Sequence, residues 1–353
     1  MKFLFFFTYN RSFLSGFFLD LCKKLTEAGH SVTVFSFKGI NNEKKVDNID
    51  IHIKKKRGYL ANYYNTYKII RDIKPDIIIS NFSYVYPALL AGKLIKGCKN
   101  IAWFHTESSH TKPGVINLII KKRFTKLADR IIVNSYRLKE DLINTCTITE
   151  NKIYIVPFWT AISSVISSNF RAEKPKLFNI GCPGRLVKGK NQELVLDALS
   201  MIKATNTKTF KLYFAGQGDQ EEYLRKYTST KNLYSETEFL GDLSINDMPQ
   251  FYKEMDLIVL PSLQEAFGMV FLEAMSLEVP VLVSDRFGAL DFLSSEVNLN
   301  AFQFNPLDEK ELADKIKLYM EGKGCSPAYF KTLYNKHFSR EKTFHSFMKV
   351  LQE

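Results

Sequence analysis

The chain has 353 residues, 45% of them hydrophobic and 14% aromatic, enough for two domain cores, and it carries a formal net charge of +12. The apolar run Phe3-Leu4-Phe5-Phe6-Phe7 is too short to span a bilayer. Polar Thr8-Tyr9-Asn10-Arg11 ends it with no small-residue cleavage site, which argues against a secretory leader. Five scattered cysteines (Cys22, Cys98, Cys146, Cys182, Cys325) contain no C-x-x-C pair, which argues against a disulfide framework or zinc site and for a reducing, cytoplasmic compartment.

In chain order, Lys2–Phe7 reads as a strand, Gly16–Ala28 as a helix and Ser31–Phe37 as a strand. A helix over Tyr63–Ile73 ends at Pro75, and Asp76–Ser80 reads as a buried parallel strand. Pro87–Leu94 suggests a helix and Asn100–His105 a strand; Arg130–Ser135 is a strand leading into a helix capped by Ser135, and Ile153–Pro157 closes the series. From Ala161 to Lys176 the composition shifts to Ser, Asn and charge, with Ala172–Lys176 as a linker. Strands then resume at Leu177–Gly181, Lys211–Ala215, Glu238–Leu240, Leu257–Leu260 and Val281–Ser284, and the last 40 residues are helical, with an amphipathic tail at Arg340–Leu351. Such spacing implies βαβ units with parallel sheets. The expected fold is α/β, two doubly wound, Rossmann-like domains facing across a cleft, 1–165 and 177–337.

The charge is unevenly placed. Residues 1–160 hold 26 Lys+Arg against 12 Asp+Glu, and the remainder 23 against 25. Clusters fall at Lys54–Arg57, at Lys93, Lys96 and Lys99, and at Lys121-Lys122-Arg123 with Lys126; Val115–Phe124 mixes apolar and basic residues as an interfacial helix does. An anionic membrane surface and plain solvation are equal readings of this half. No nucleic-acid motif is present, so nucleic acid is not expected as a partner.

Two motifs carry chemistry. After the apolar run Leu177–Cys182 come Gly184-Arg185-Leu186-Val187-Lys188-Gly189-Lys190-Asn191 and a helical pattern. Glycines let backbone approach a ligand, and Arg185 and Lys190 bring two cations to one loop, which suits a diphosphate without a metal. Gly184–Lys190 also fills the first seven positions of a P-loop, but Asn191 lacks the hydroxyl that holds magnesium. Further on, Glu265 and Glu273 bracket Phe267-Gly268-Met269-Val270, which opens a helix whose first-turn amides suit an anion. An ordinary strand–loop–helix with two solvated glutamates meets the same spacing. Glycosidase chemistry would need both carboxylates at one anomeric carbon, which a loop-to-helix placement disfavours. Gly216-Gln217-Gly218 begins like a dinucleotide fingerprint, but Glu221 stands where the third glycine belongs. No D-x-D triplet occurs, so no metal or cofactor is expected.

Taken together, Gly184-Arg185-Leu186 with Lys190, Phe214–Gly218, Phe239-Leu240-Gly241, Leu260-Pro261-Ser262, Glu265 to Glu273 and Pro280–Ser284 resemble the retaining glycosyltransferases of family 4. The resemblance implies a GT-B fold, with the acceptor domain at 1–165, the donor domain at 177–337 and the final helix, 338–353, packing back on the first. It implies sugar transfer with retention from a nucleotide-sugar, UDP-sugar favoured, to a glycan or lipid-linked acceptor. The setting would be bacterial surface polysaccharide or lipopolysaccharide synthesis, in the cytoplasm or peripherally on the inner face of the membrane. Arg185 and Lys190 would hold the diphosphate with the amides of Gly268, Met269 and Val270. Glu265 would bind the donor sugar beside Phe267, Glu273 the ribose, and His105, in Trp103-Phe104-His105-Thr106-Glu107, would be the active-site histidine. Gly16 would touch the acceptor, although the family's usual Gly-Gly is here Ser15-Gly16. A GT-B nucleotide-sugar epimerase and a non-catalytic nucleotide-sugar-binding protein are the alternatives.

Overall fold

Phenylalanine- and isoleucine-rich runs build the first sheet. In a computed structural model, which describes residues 1–10, 12–38, 42–95, 97–106, 114–162, 177–205, 209–293 and 298–352, the chain divides into two units. One is Met1–Ala161 with Arg340–Glu353, the other Ile162–Ser339. The expected linker at Ala172–Lys176, the 165 boundary, Lys96 and Glu107 lie outside the described residues.

The first unit holds β1 (Lys2–Phe6), β2 (Ser31–Phe37), β3 (Asn42–Val46), β4 (Ile49–Lys54), β5 (Ile77–Asn81), β6 (Lys99–Phe104), β7 (Arg130–Val133) and β8 (Ile153–Ile155), in the order β3-β4-β2-β1-β5-β6-β7-β8. All neighbours are parallel except β3 and β4. β5 is buried throughout, as a parallel strand covered on both faces must be. Helices α1 (Phe13–Glu27), α2 (Tyr59–Ile73), α3 (Val85–Leu94), α4 (Val115–Thr125) and α5 (Tyr136–Cys146) supply the crossovers. Ser12 and Ser135 cap α1 and α5, their hydroxyls accepting from the amides of Ser15 and Leu138.

The β3–β4 hairpin is absent from the sequence reading. β3 is Asn-Glu-Lys-Lys-Val and wholly exposed, so an edge strand leaves no apolar alternation to read. The signal lies in β4, where Ile49, Ile51 and Ile53 are buried in alternation, and in Asp47-Asn48, whose φ of 49° and 64° suit a two-residue hairpin turn.

The second unit orders β9 (Phe178–Pro183), β10 (Phe210–Ala215), β11 (Thr237–Gly241), β12 (Leu257–Leu260), β13 (Val281–Ser284) and β14 (Gln303–Phe304) as β11-β10-β9-β12-β13-β14, all parallel. Its helices are α6 (Gln192–Thr205), α7 (Glu221–Thr230), α8 (Met248–Glu254), α9 (Met269–Ser276), α10 (Glu309–Met320) and α11 (Pro327–Phe338).

The last helix, α12 (Arg340–Gln352), lies in the first unit. It buries Phe347, whose ring stacks on Trp103 with centroids 5.9 Å apart. At its start the Arg340 guanidinium donates two bonds of 2.7 Å to the two carboxylate oxygens of Asp20 on α1, and the buried Trp159 indole donates to the same carboxylate at 2.7 Å. Truncating Asp20 leaves both donors without a partner, so Asp20→Ala is expected to destabilise the first unit by about 1–3 kcal/mol. Both tryptophans of the chain, Trp103 and Trp159, lie in that unit, so the urea midpoint of tryptophan fluorescence measures it directly.

Candidate active site

The loop after β9 is shaped by glycine. Gly184 has φ +140° and Gly216, after β10, φ +147°, a region closed to most side chains. A Cβ at Gly216 would fall on the Gly184 carbonyl, and one at Gly218 on the Leu186 carbonyl. Bonds from the Gly184 amide to the Ala215 carbonyl (2.9 Å) and from the Leu186 amide to the Gln217 carbonyl (3.0 Å) lock the two loops together. The glycines that begin like a dinucleotide fingerprint thus serve loop-on-loop contact. A third loop joins them where the Leu263 amide donates to the Gly189 carbonyl (3.0 Å).

These contacts bring Lys190 to Glu265, 75 residues apart, as an ion pair with both side chains only 21% exposed. Arg185 on the same loop is exposed, and its carbonyl accepts from the Gln192 amide side chain at 3.0 Å. Beyond Glu265, Gly268 precedes α9 with φ +103°, and a Cβ there would meet the Phe287 ring. Met269 and Val270 open the helix, where backbone amides have no intrahelical acceptor. The Phe267 ring is buried against Phe292 and Phe338, leaving backbone as what that residue can offer a ligand.

Glu273 lies fully buried inside α9. The Tyr252 hydroxyl donates to its Oε2 at 2.7 Å, while its Oε1 has no partner among the described residues. Burial pushes the carboxyl up to about 7, against the lowering effect of Tyr252. Beside the loop, burial pushes the Cys182 thiol up to about 12, so it is inert.

In the first unit, His105 follows β6. Its Nδ1 lies 2.6 Å from Asn134 Oδ1 and its Nε2 2.8 Å from Asn81 Oδ1. Burial lowers the imidazole to about 4, outweighing the hydrogen bond to Asn134. Gly16 sits in the first turn of α1 with its amide already bonded to the Ser12 carbonyl (3.0 Å), so that amide is not spare for a ligand.

The structure therefore joins Gly184, Arg185, Lys190, Glu265 and the start of α9 at one end of the second sheet, with Glu273 beneath, and sets His105 and Gly16 in the first unit. The sequence reading passes over Tyr252, Asn81 and Asn134. The two asparagines had a signal: each ends an apolar run at the carboxyl end of a parallel strand, where ligands of open α/β sheets bind. Among the described residues no group of three or more His, Cys, Asp or Glu is placed to hold a metal ion.

Two family models match, one described as glycosyltransferase family 4 over residues 16–159 and one as glycosyl transferases group 1 over 166–337. An uncharacterized glycosyltransferase of Methanocaldococcus jannaschii is 31% identical over 183 residues, 48% of this chain and 45% of its own length, so the chain spans less than half of that relative. Another from the same organism is 28% identical over 95% of this chain and 92% of its own. The capsular polysaccharide biosynthesis glycosyltransferase CapM of Staphylococcus aureus is 29% identical over 54% of this chain and 52% of its own. Among solved structures, Anabaena HepE in complex with UDP and glucose superposes with a TM-score of 0.79 over 100% of both chains at 20% identity, a likeness of fold.

The raised Glu273 carboxyl sets a pH dependence. Its folded value, about 7, exceeds the ordinary 4.5, so the folded state holds a proton that the unfolded state has released between those limits. That stabilisation is full below about 4.5 and is lost as pH rises through about 7. Glu273→Gln is expected to unfold at a higher temperature than the parent at pH 8, with the difference shrinking towards pH 4.5 in scanning calorimetry.

Proposed function

Since the chain belongs to the glycosyltransferases of group 1 and family 4, with the GT-B fold, we propose that it transfers a sugar, with retention, from a UDP-sugar to a glycan or lipid-linked acceptor in bacterial surface polysaccharide synthesis. One observation carries this: the Lys190–Glu265 pair at a glycine-shaped loop, beside exposed Arg185 and the opening of α9.

Without ligand, Lys190 neutralises Glu265. A diphosphate carries more charge than one carboxylate and accepts from several donors, so it draws Lys190 to itself and leaves Glu265 to accept from donor-sugar hydroxyls. Lys190, Arg185 and the amides of Gly268, Met269 and Val270 then stabilise the negative charge that develops as the nucleoside diphosphate departs. Glu273 accepts from the ribose hydroxyls through the oxygen that has no partner. All the positive charge this clamp needs comes from the chain, which favours a metal-independent reaction. His105 and Gly16 serve the acceptor side in the first unit. The role of the similar CapM in capsular polysaccharide biosynthesis supports a surface-polysaccharide setting. The excess of basic residues in 1–160 and the exposed Ile116 and Ile119 on α4 support a peripheral contact with anionic lipid. No helix among the described residues is long and apolar enough to cross a membrane.

UDP is expected to raise the melting temperature in EDTA, by mass action on the folded state, more than GDP, ADP or ATP. Lys190→Ala should abolish the shift and lower kcat/KM at least about 100-fold. A shift confined to ATP with magnesium would refute the clamp and favour the P-loop reading. Proton NMR of the glycoside product should show the donor's anomeric configuration kept. Sedimentation with phosphatidylglycerol vesicles at physiological salt should pellet the protein; its absence from the pellet removes the membrane contact.

A further inference from the structure

Tyr252 on α8 and Glu273 on α9 are both fully buried in the second unit. A buried phenol seeks an acceptor, and the Tyr252 hydroxyl has two in reach, Glu273 Oε2 at 2.7 Å and the Val270 carbonyl at 3.4 Å. It has one proton, and the shorter contact takes it. Burial, and after it the charge of Glu273, push the phenol well above its ordinary range, so it stays a donor. A pair kept only for packing would have both carboxyl oxygens satisfied, or be replaceable by apolar side chains at little cost. Here Oε2 is held while Oε1 has no partner among the described residues. The carboxyl lies about one turn beyond Met269 and Val270, so the phenol that holds it also touches the turn that opens α9. An oxygen without a partner in a dry place, beneath a turn with spare amides, suits a ligand hydroxyl.

The other charges near α9 are engaged elsewhere. α11 packs on it, and its Lys331 ammonium donates to the Ser276 carbonyl at 2.5 Å and stands 3.8 Å from Glu278. α11 also carries Tyr329, Tyr334, Lys336 and His337. The loop before α9 carries Glu265, paired with Lys190, and on α8 the neighbours Lys253 and Glu254 are exposed. β13, which also packs on α9, is Val-Leu-Val-Ser and brings no charge. None of these groups bonds the Glu273 carboxyl. Burial raises its proton affinity and the Tyr252 hydroxyl lowers it.

We propose that Tyr252 is the positioning residue of Glu273: its hydroxyl holds Oε2, turns Oε1 to the ribose of the nucleotide and favours the charged carboxylate that binds it. The proposal rests on reading Glu273 as the ribose ligand. In the empty site the carboxyl holds a proton near neutrality. Ribose hydroxyls donate to the carboxylate, so nucleotide binding releases that proton, and the phenol sets the pH at which this is easy.

The test reads UDP affinity by titration calorimetry from about pH 5.5 to about pH 9, always against Glu273→Gln. That variant shows what pH does to UDP itself and to every other group. A carboxylate accepts more strongly than a neutral acid, so the parent should gain on the order of 10-fold over Glu273→Gln as pH rises through about 7. Tyr252→Phe removes the donor that favours the charged form, and the same gain should then come about one to two pH units higher. Tyr252 replaced by 3-fluorotyrosine, a stronger donor, should bring it lower. In the parent, 2′,3′-dideoxy-UDP, which lacks the ribose hydroxyls, should show no gain. A Tyr252→Phe curve that rises where the parent's does, weakened evenly or not at all, overturns the proposal and leaves the ribose reading intact. Dideoxy-UDP bound as tightly as UDP, or a parent with no gain over Glu273→Gln at any pH, overturns both. Should Tyr252→Phe fail to fold by circular dichroism, the fluorotyrosine protein decides: a rise moved to lower pH supports the proposal, and an unmoved one overturns it.

Discussion

One carboxylate organises the first unit. Asp20 receives the indole of Trp159 and the fork of Arg340, residues that flank the whole of Ile162–Ser339 in sequence. A bidentate, partly buried arginine–carboxylate pair outweighs an ordinary surface pair because its geometry is fixed and its water partly removed. Around it α1 and α12 close on an aromatic cluster. Phe17 packs on Trp103, Phe158 and Trp159, and Phe347 stacks on Trp103 from the other helix. His105 sits at the margin of that cluster, its ring packed on Phe18, Trp103 and Phe158.

The second unit relies on close backbone approach instead. Three loops, after β9, β10 and β12, touch through main-chain bonds that glycine alone permits at Gly216 and Gly218. Their union converts two side chains far apart in sequence into a neutral pair, Lys190 with Glu265, at a site that otherwise gathers positive charge. A buried carboxyl below, Glu273, is kept protonatable near neutrality by the same dryness that leaves its Oε1 without a partner. Charge at this site is held in reserve by pairing and by burial.

Much of this was legible in the chain. Strands such as Leu257–Leu260 and Val281–Ser284 were, because a strand buried on both faces is a plain apolar run. The Gly184–Lys190 loop and the glutamate pair were, because their spacing is local. What stayed hidden depends on distant partners. Nothing near Lys190 says that Glu265 neutralises it, and nothing near Glu273 says that Tyr252 holds one oxygen and burial strips the other. β3 hid for a different reason: an exposed edge strand buries no side chain, so no periodicity marks it.

The discontinuity of the first unit reaches back to how the protein is made. A ribosome emits Met1–Ala161 first, yet Arg340, Phe347 and the rest of α12 emerge only after Ile162–Ser339. At about 5–20 residues per second that interval is roughly 10–40 s. Through it, the Asp20 carboxylate and the aromatic face around Trp103 stand without their last partners, while the second unit, contiguous in sequence, is free to fold as it appears. The half that starts first finishes last, and the nascent chain must keep a phenylalanine-rich surface out of wrong associations for that long.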